Sequence, residues 1–150
     1  MIFYIFMLTL EIITPDQTVF QGQVDSVTLP TADGEITVLA HHIPLITSIQ
    51  PGAVIARVGS EEHVFAVSRG VIEVQNSEVR VLSDIADRAD QLEEAAVEKA
   101  RETAEKLMTE KRDDAEGFAE ATAILERELA RSRAVRRHRS RARGYTPPSQ

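Results

Sequence analysis

Four imidazoles and a run of guanidiniums carry most of the chemical potential of this 150-residue chain. The histidines are His41, His42, His63 and His138. Neighbours such as His41 and His42 point to opposite sides of an extended chain, so they cannot share one ion without a bend. Cysteine is absent and no His-Glu-x-x-His pattern occurs, which removes the usual zinc ligand sets. No Gly-rich loop leads into Lys-Ser or Lys-Thr, as a phosphate-cradling hydrolase site would need. Ser68, in Ser-Arg-Gly, lacks the strained elbow that exposes a nucleophile. Asp and Glu sit mainly on helix faces, where pairs such as Glu102 with Lys106 read as solvated i,i+4 partners. The expectation is a chain that is not an enzyme and has no metal or cofactor site.

The guanidiniums are concentrated at one end. Arg127, Arg131, Arg133, Arg136, Arg137, Arg139, Arg141 and Arg143 are accompanied by one acid, Glu128, a local charge of +7 in a chain of net charge -7. The remainder therefore carries -14. This asymmetry suits docking on an acidic surface, protein or nucleic acid, with a solvated helix end as the plainer reading. A nucleic-acid adaptor is disfavoured because aromatic residues for base stacking are lacking around the arginines, apart from Tyr145.

Positioning these groups requires two kinds of element. From Leu8 to Leu82 the signals are those of short strands. Leu8, Leu10 and Ile12 alternate with Thr9 and Glu11 before a Pro15-Asp16 turn, and Val27 and Leu29 share a face opposite Thr28. Asp33-Gly34, Pro51-Gly52, Gly59-Ser60 and Asn76-Ser77 mark reversals. Pro30 and Pro44 belong at strand ends or edges, because neither can donate to a ladder. Eight or more such strands predict an antiparallel sandwich or barrel. The expected fold class is α+β, with a β domain at residues 7–88.

Composition changes after Leu82. Asp90-Gln91-Leu92-Glu93 has the form of a capping box, and Leu92, Ala96, Ala100, Thr103 and Leu107 form one apolar stripe. After Asp113-Asp114-Ala115-Glu116-Gly117, a second stripe is expected at Phe118, Ala121, Leu125, Leu129 and Ser132. Two helices of similar length joined by a short polar turn predict an antiparallel hairpin over 89–143, with a disordered tail at 144–150. Its seam is poor in large side chains, so Leu92, Leu107, Phe118, Leu125 and Leu129 must supply most of its stability. Met1 to Phe6 are apolar but far short of the roughly 20 residues that span a bilayer.

An ordered set of motifs gives a more specific reading. Leu10-Glu11-Ile12-Ile13-Thr14-Pro15-Asp16, Val19-Phe20-Gln21-Gly22, Asp33-Gly34-Glu35, His42-Ile43-Pro44-Leu45-Ile46-Thr47, Pro51-Gly52, Ala66-Val67-Ser68-Arg69-Gly70 and Val81-Leu82-Ser83-Asp84 occur in sequence. Together they resemble the ε subunit of the bacterial F-type ATP synthase over about residues 7–135. The resemblance implies a flattened ten-stranded β-sandwich followed by a helical hairpin that either folds against the sandwich or extends along the γ subunit. It also implies a non-catalytic rotor subunit that joins the γ subunit to the c-ring in proton-driven ATP synthesis. The implied location is peripheral, on the cytoplasmic face of the cell membrane. Family members typically start near Met7, so residues 1–6 read as an N-terminal extension: an extra strand segment, a partner contact or an upstream start codon.

By position, the resemblance places Glu35 in a loop that meets the c-ring with His42 close by, and Thr14 and Thr47 near the γ contact. It makes Arg131, Arg133, Arg136 and Arg137 candidates for an inhibitory contact with the α and β catalytic subunits. Some positions depart from the family's pattern. Thr37 replaces a glycine, Ala40-His41 replaces Pro-Gly, and Ser68-Arg69-Gly70 replaces Ser-Gly-Gly. In the segment aligned with the family's nucleotide-sensing motif, Leu92-Glu93-Glu94-Ala95-Ala96-Val97, Ala96 takes the place of an arginine. Regulatory ATP binding is therefore not expected.

Overall fold

A computed structural model describes residues 7–144. The expected extension at 1–6 and the tail after Gly144 lie outside the described residues. Ten strands come first: β1 (Leu8–Ile13), β2 (Thr18–Val24), β3 (Ser26–Thr31), β4 (Gly34–Leu39), β5 (Leu45–Ile49), β6 (Gly52–Val58), β7 (Glu61–Val67), β8 (Gly70–Gln75), β9 (Glu78–Ser83) and β10 (Ala86–Arg88). A 3-10 turn (Ala89–Gln91) leads to helices α1 (Glu94–Glu110) and α2 (Ala115–Gly144).

The strands form one continuous sheet in the order β10-β7-β6-β3-β5-β8-β9-β1-β2, with β4 paired to β3 alone. The sheet folds over a single core. Alternating side chains of both halves, among them Leu8, Leu10, Ile12, Leu29, Phe65, Ile72 and Val81, are buried in it. Phe20 of β2 meets Phe65 of β7 edge-on at 5.4 Å, bringing the two ends of the sheet together. Pairing is antiparallel except between β1 and β9, which run parallel because the chain returns to β1 only after crossing the whole domain.

The turns follow their residues. Gly34 and Gly59 adopt positive φ, and Asn76 and Ser77 both do so, as a two-residue hairpin requires. His41 has φ 64 where a glycine would be expected. Gly70 is forced by space rather than by torsion: a Cβ there would lie 1.8 Å from the Leu82 carbonyl oxygen.

The helices form the expected hairpin with three corrections. First, the Asp90–Glu93 capping box does not form. Asp90 lies in the 3-10 turn and pairs with Arg88 at 3.6 Å, and α1 starts at Glu94 with no side-chain cap. Leu92 stays extended, packed against the cluster of Ile55, Val64 and Ala66. Second, the buried stripe of α1 runs through Val97 and Ala104, while Ala96 and Thr103 are exposed. The expected stripe took its frame from Leu92, which lies outside the helix. Third, the helices differ in length, 17 against 30 residues. Phe118 lies near the tip, 38% exposed, and Ala121, Ala130, Ala134 and Val135 are the fully packed apolar residues of α2. Small side chains rather than leucines therefore make the seam, and they allow α2 to lie close on β6 and β7.

Candidate functional site

Helix α2 buries two stripes at once. One includes Ser132, which bonds Glu98 of α1; the other includes Ala134, which packs with Ile55 of β6 and Val64 and Ala66 of β7. Apolar patterning around such a helix is weak because two faces are covered. This is why the single-stripe reading missed the second face.

The arginines lie along these seams, and each of the seven with a described side chain has an acceptor. Arg131 Nε donates to Asp87 Oδ2 at 2.7 Å and its Nη1 to Glu128 Oε1 at 2.8 Å. Arg133 Nη1 donates to the Pro51 carbonyl at 3.3 Å. Arg136 Nη2 reaches Glu98 Oε1 at 3.4 Å, and Ser132 Oγ donates to the same oxygen at 2.8 Å. Arg137 and Arg141 both donate to Glu62 Oε2, at 3.2 and 2.9 Å. Arg139 pairs with Glu94, and Arg127 with Glu128 at 3.3 Å. The basic end thus has acceptors within the chain itself.

Glu62 is the most enclosed acceptor of the set on the sheet, with its side chain 3% exposed. Arg57 of β6 adds a third guanidinium at 3.4 Å. Burial pushes the Glu62 carboxyl upward, but the hydrogen bond from Arg137 and the charges of Arg137, Arg141 and Arg57 outweigh it, and the group titrates below the ordinary carboxylate value. Glu98 is lowered too, first by the Ser132 hydrogen bond and then by Arg101. Burial lowers Arg131, but Asp87 and Glu128 more than compensate, so it is held above the ordinary guanidinium value.

The other singled-out residues are distributed over the β domain. Glu35 is exposed at the start of β4, and His42 follows its far end, its Nδ1 2.7 Å from the Ile43 carbonyl. The five residues from Glu35 to Leu39 span roughly 13 Å of strand, so one loop does not hold both. Any surface touching both runs along β4, whose second edge pairs with no strand among the described residues. Thr14 closes the β1–β2 turn, donating through Oγ1 to the Gln17 carbonyl at 3.1 Å. Thr47 is half-buried in β5 opposite Ile72. A row of paired residues, Ser48–Val71–Leu82–Ile13, crosses β5, β8, β9 and β1 between these threonines. Ile46 (74% exposed), Val71 and Leu82 give this outward face an apolar character.

Two contacts were not anticipated. Arg69, standing where a glycine was expected, reaches across to Glu126 of α2, and Glu62 receives the distal arginines. Only the departure from Ser-Gly-Gly hinted at the first; the second depends on which turn of α2 lies over β7. Ala96 is exposed on α1. Among the described residues, no cluster of histidine and acidic side chains could hold a metal, and no helix is long and apolar enough to cross a membrane.

Comparison with known proteins gives a consistent picture. A family model described as ATP synthase, Delta/Epsilon chain, beta-sandwich domain matches residues 7–89. An ATP synthase epsilon chain of Dehalococcoides mccartyi is 37% identical over 132 residues, covering 88% of this chain and 94% of the relative. One of Acinetobacter baumannii is 38% identical over 134 residues, covering 88% and 95%. Among solved structures, a chain in the cryo-EM structure of the Euglena gracilis mitochondrial ATP synthase (OSCP/F1/c-ring) has a TM-score of 0.71 at 21% identity. It covers 83% of this chain and 78% of that one, and supports the fold.

Proposed function

We propose, for a chain that belongs to the ATP synthase epsilon family, a place in the central stalk of an F-type ATP synthase, where it is a non-catalytic subunit. In this reading it joins the γ subunit to the c-ring from the cytoplasmic face of a bacterial membrane, without entering the bilayer. The observation that carries the reading is the division of the β domain's exterior. The chain's own helices cover β6 and β7, while Ile46, Val71 and Leu82 stand exposed on strands the hairpin leaves uncovered.

Thr14 follows Ile13 at one end of that exposed row, which favours the row as the γ contact, whereas Thr47 pairs with the buried Ile72 on the opposite face of β5. Contiguous exposed apolar surface of this kind is characteristic of an interaction site. Glu35, His42 and the exposed Ile43 line the free edge of β4 and its following loop, which favours that edge for the polar loops of the c-ring.

The helices are assigned a restraint on ATP hydrolysis. Arg131, Arg133, Arg136 and Arg137 would exchange their internal acceptors for acidic groups of the α and β subunits. The test is ATP hydrolysis by an α, β and γ core with the full chain and with its R131Q/R133Q/R136Q/R137Q variant. Hydrolysis should be slower with the natural chain and largely restored with the variant. Equal inhibition by both would remove the arginines from the mechanism.

A further inference from the structure

We infer that the end of α2 beyond Val135 is a separately releasable strap, pinned to the sheet by Glu62 and able to peel away while the rest of the hairpin stays docked. The evidence is a change in what holds the helix. Up to Val135, α2 is held by buried apolar residues, with Ala130, Ala134 and Val135 at 1, 0 and 7% exposure. From Arg136 to Ala142 every residue is exposed. The attachments here are polar: Arg136 to Glu98, Arg137 and Arg141 to Glu62, Arg139 to Glu94, and Arg141 to the Ser60 carbonyl.

The Glu62 pin is poised for release on three grounds. One carboxylate is shared by three guanidiniums, whose like charges repel one another. Arg57 belongs to the sheet, so Glu62 keeps a counter-charge after Arg137 and Arg141 depart. Glu62 Oε1 is buried with no hydrogen-bond partner among the described residues, so the docked arrangement leaves one oxygen of the pin unsatisfied. The freed segment presents Arg136, Arg137, Arg139 and Arg141 together. Their use against a catalytic-subunit surface rests on the inhibitory reading above, whereas the release itself is a property of the free chain.

Site-resolved amide hydrogen exchange on the full chain at low ionic strength tests this with Glu62→Gln and, because that residue is buried, also with Arg137→Gln/Arg141→Gln, which leaves the sheet intact. Two detached helical turns are marginal in water, so a peeled strap loses protection. In both variants amides 136–140 should exchange at least roughly tenfold faster than in the natural chain, with amides 121–135 within about twofold. Equal acceleration across 121–140 would mean that α2 leaves as one body, and no change in either variant would mean that Glu62 is not the pin. Either result overturns the inference. Confirmed release with unaltered inhibition of hydrolysis would instead sink the inhibitory role and leave the strap standing.

Discussion

Arg69 and Glu126 form a two-pronged pair, Nε to Oε2 at 3.0 Å and Nη2 to Oε1 at 2.6 Å, that ties the β7–β8 turn to α2. Its neighbour Gly70 has no such latitude, because a Cβ would strike the Leu82 carbonyl. The two positions should respond to very different degrees. Arg69→Gly should loosen the hairpin only slightly and chiefly at low salt, since the pair is exposed. Adding Glu126→Gln should then have no further effect. Gly70→Ala should destabilise the whole β domain by about 3 kcal/mol, the upper range for overpacking. Urea unfolding of the variants separates the two outcomes.

Acid should release the docked helices. Glu62 and Glu98 both titrate below the ordinary carboxylate value in the folded chain. The unfolded chain therefore takes up protons first as pH falls. Their contribution is fully present above the ordinary value of about 4.5 and is lost as pH falls through the depressed folded values. Thermal unfolding from pH 7 to pH 3 should show this loss, and Glu62→Gln should flatten part of the slope. An unchanged slope in that variant would show that Glu62 contributes nothing to acid sensitivity.

The β domain was legible because its signals are local. Alternation in Leu8, Leu10 and Ile12, together with glycines and Asn76-Ser77 at the reversals, specified strands and turns through period-two burial and torsional need. The parallel β1–β9 pair was not legible, since nothing within either strand records its neighbour. The hairpin was readable as two helices but not in its facing. Leu92 set the wrong frame for α1, and the two buried stripes of α2 blurred each other. Excess arginine announced an acidic partner, but its location on Glu62, Asp87, Glu94 and Glu98 depends on tertiary docking.

Close packing of α2 depends on Ala134, which has no exposed surface. Ala134→Leu should push the helix off Ile55 and Val64 at a cost of about 1–3 kcal/mol. Backbone exchange in β6 and β7 should remain slow while that in α1 and α2 rises together. Equal weakening of sheet and helices would show that the hairpin is integral to the sandwich.

The outward face of β5 offers a test with little structural side effect. Ile46 is 74% exposed and faces Glu73 across the ladder, so Ile46→Lys should change stability by no more than about 0.5 kcal/mol. Association with a γ-containing core should nevertheless weaken by roughly tenfold or more, as for a charge placed in an apolar contact. Unaltered association would place the γ contact elsewhere.

Membership of the central stalk is tested most directly by size-exclusion co-elution with a catalytic core of α, β and γ subunits from the same source, lacking its own ε. One copy of this chain per γ subunit is the predicted result, at both low and moderate salt. Failure to co-elute under both conditions would contradict the proposed assembly.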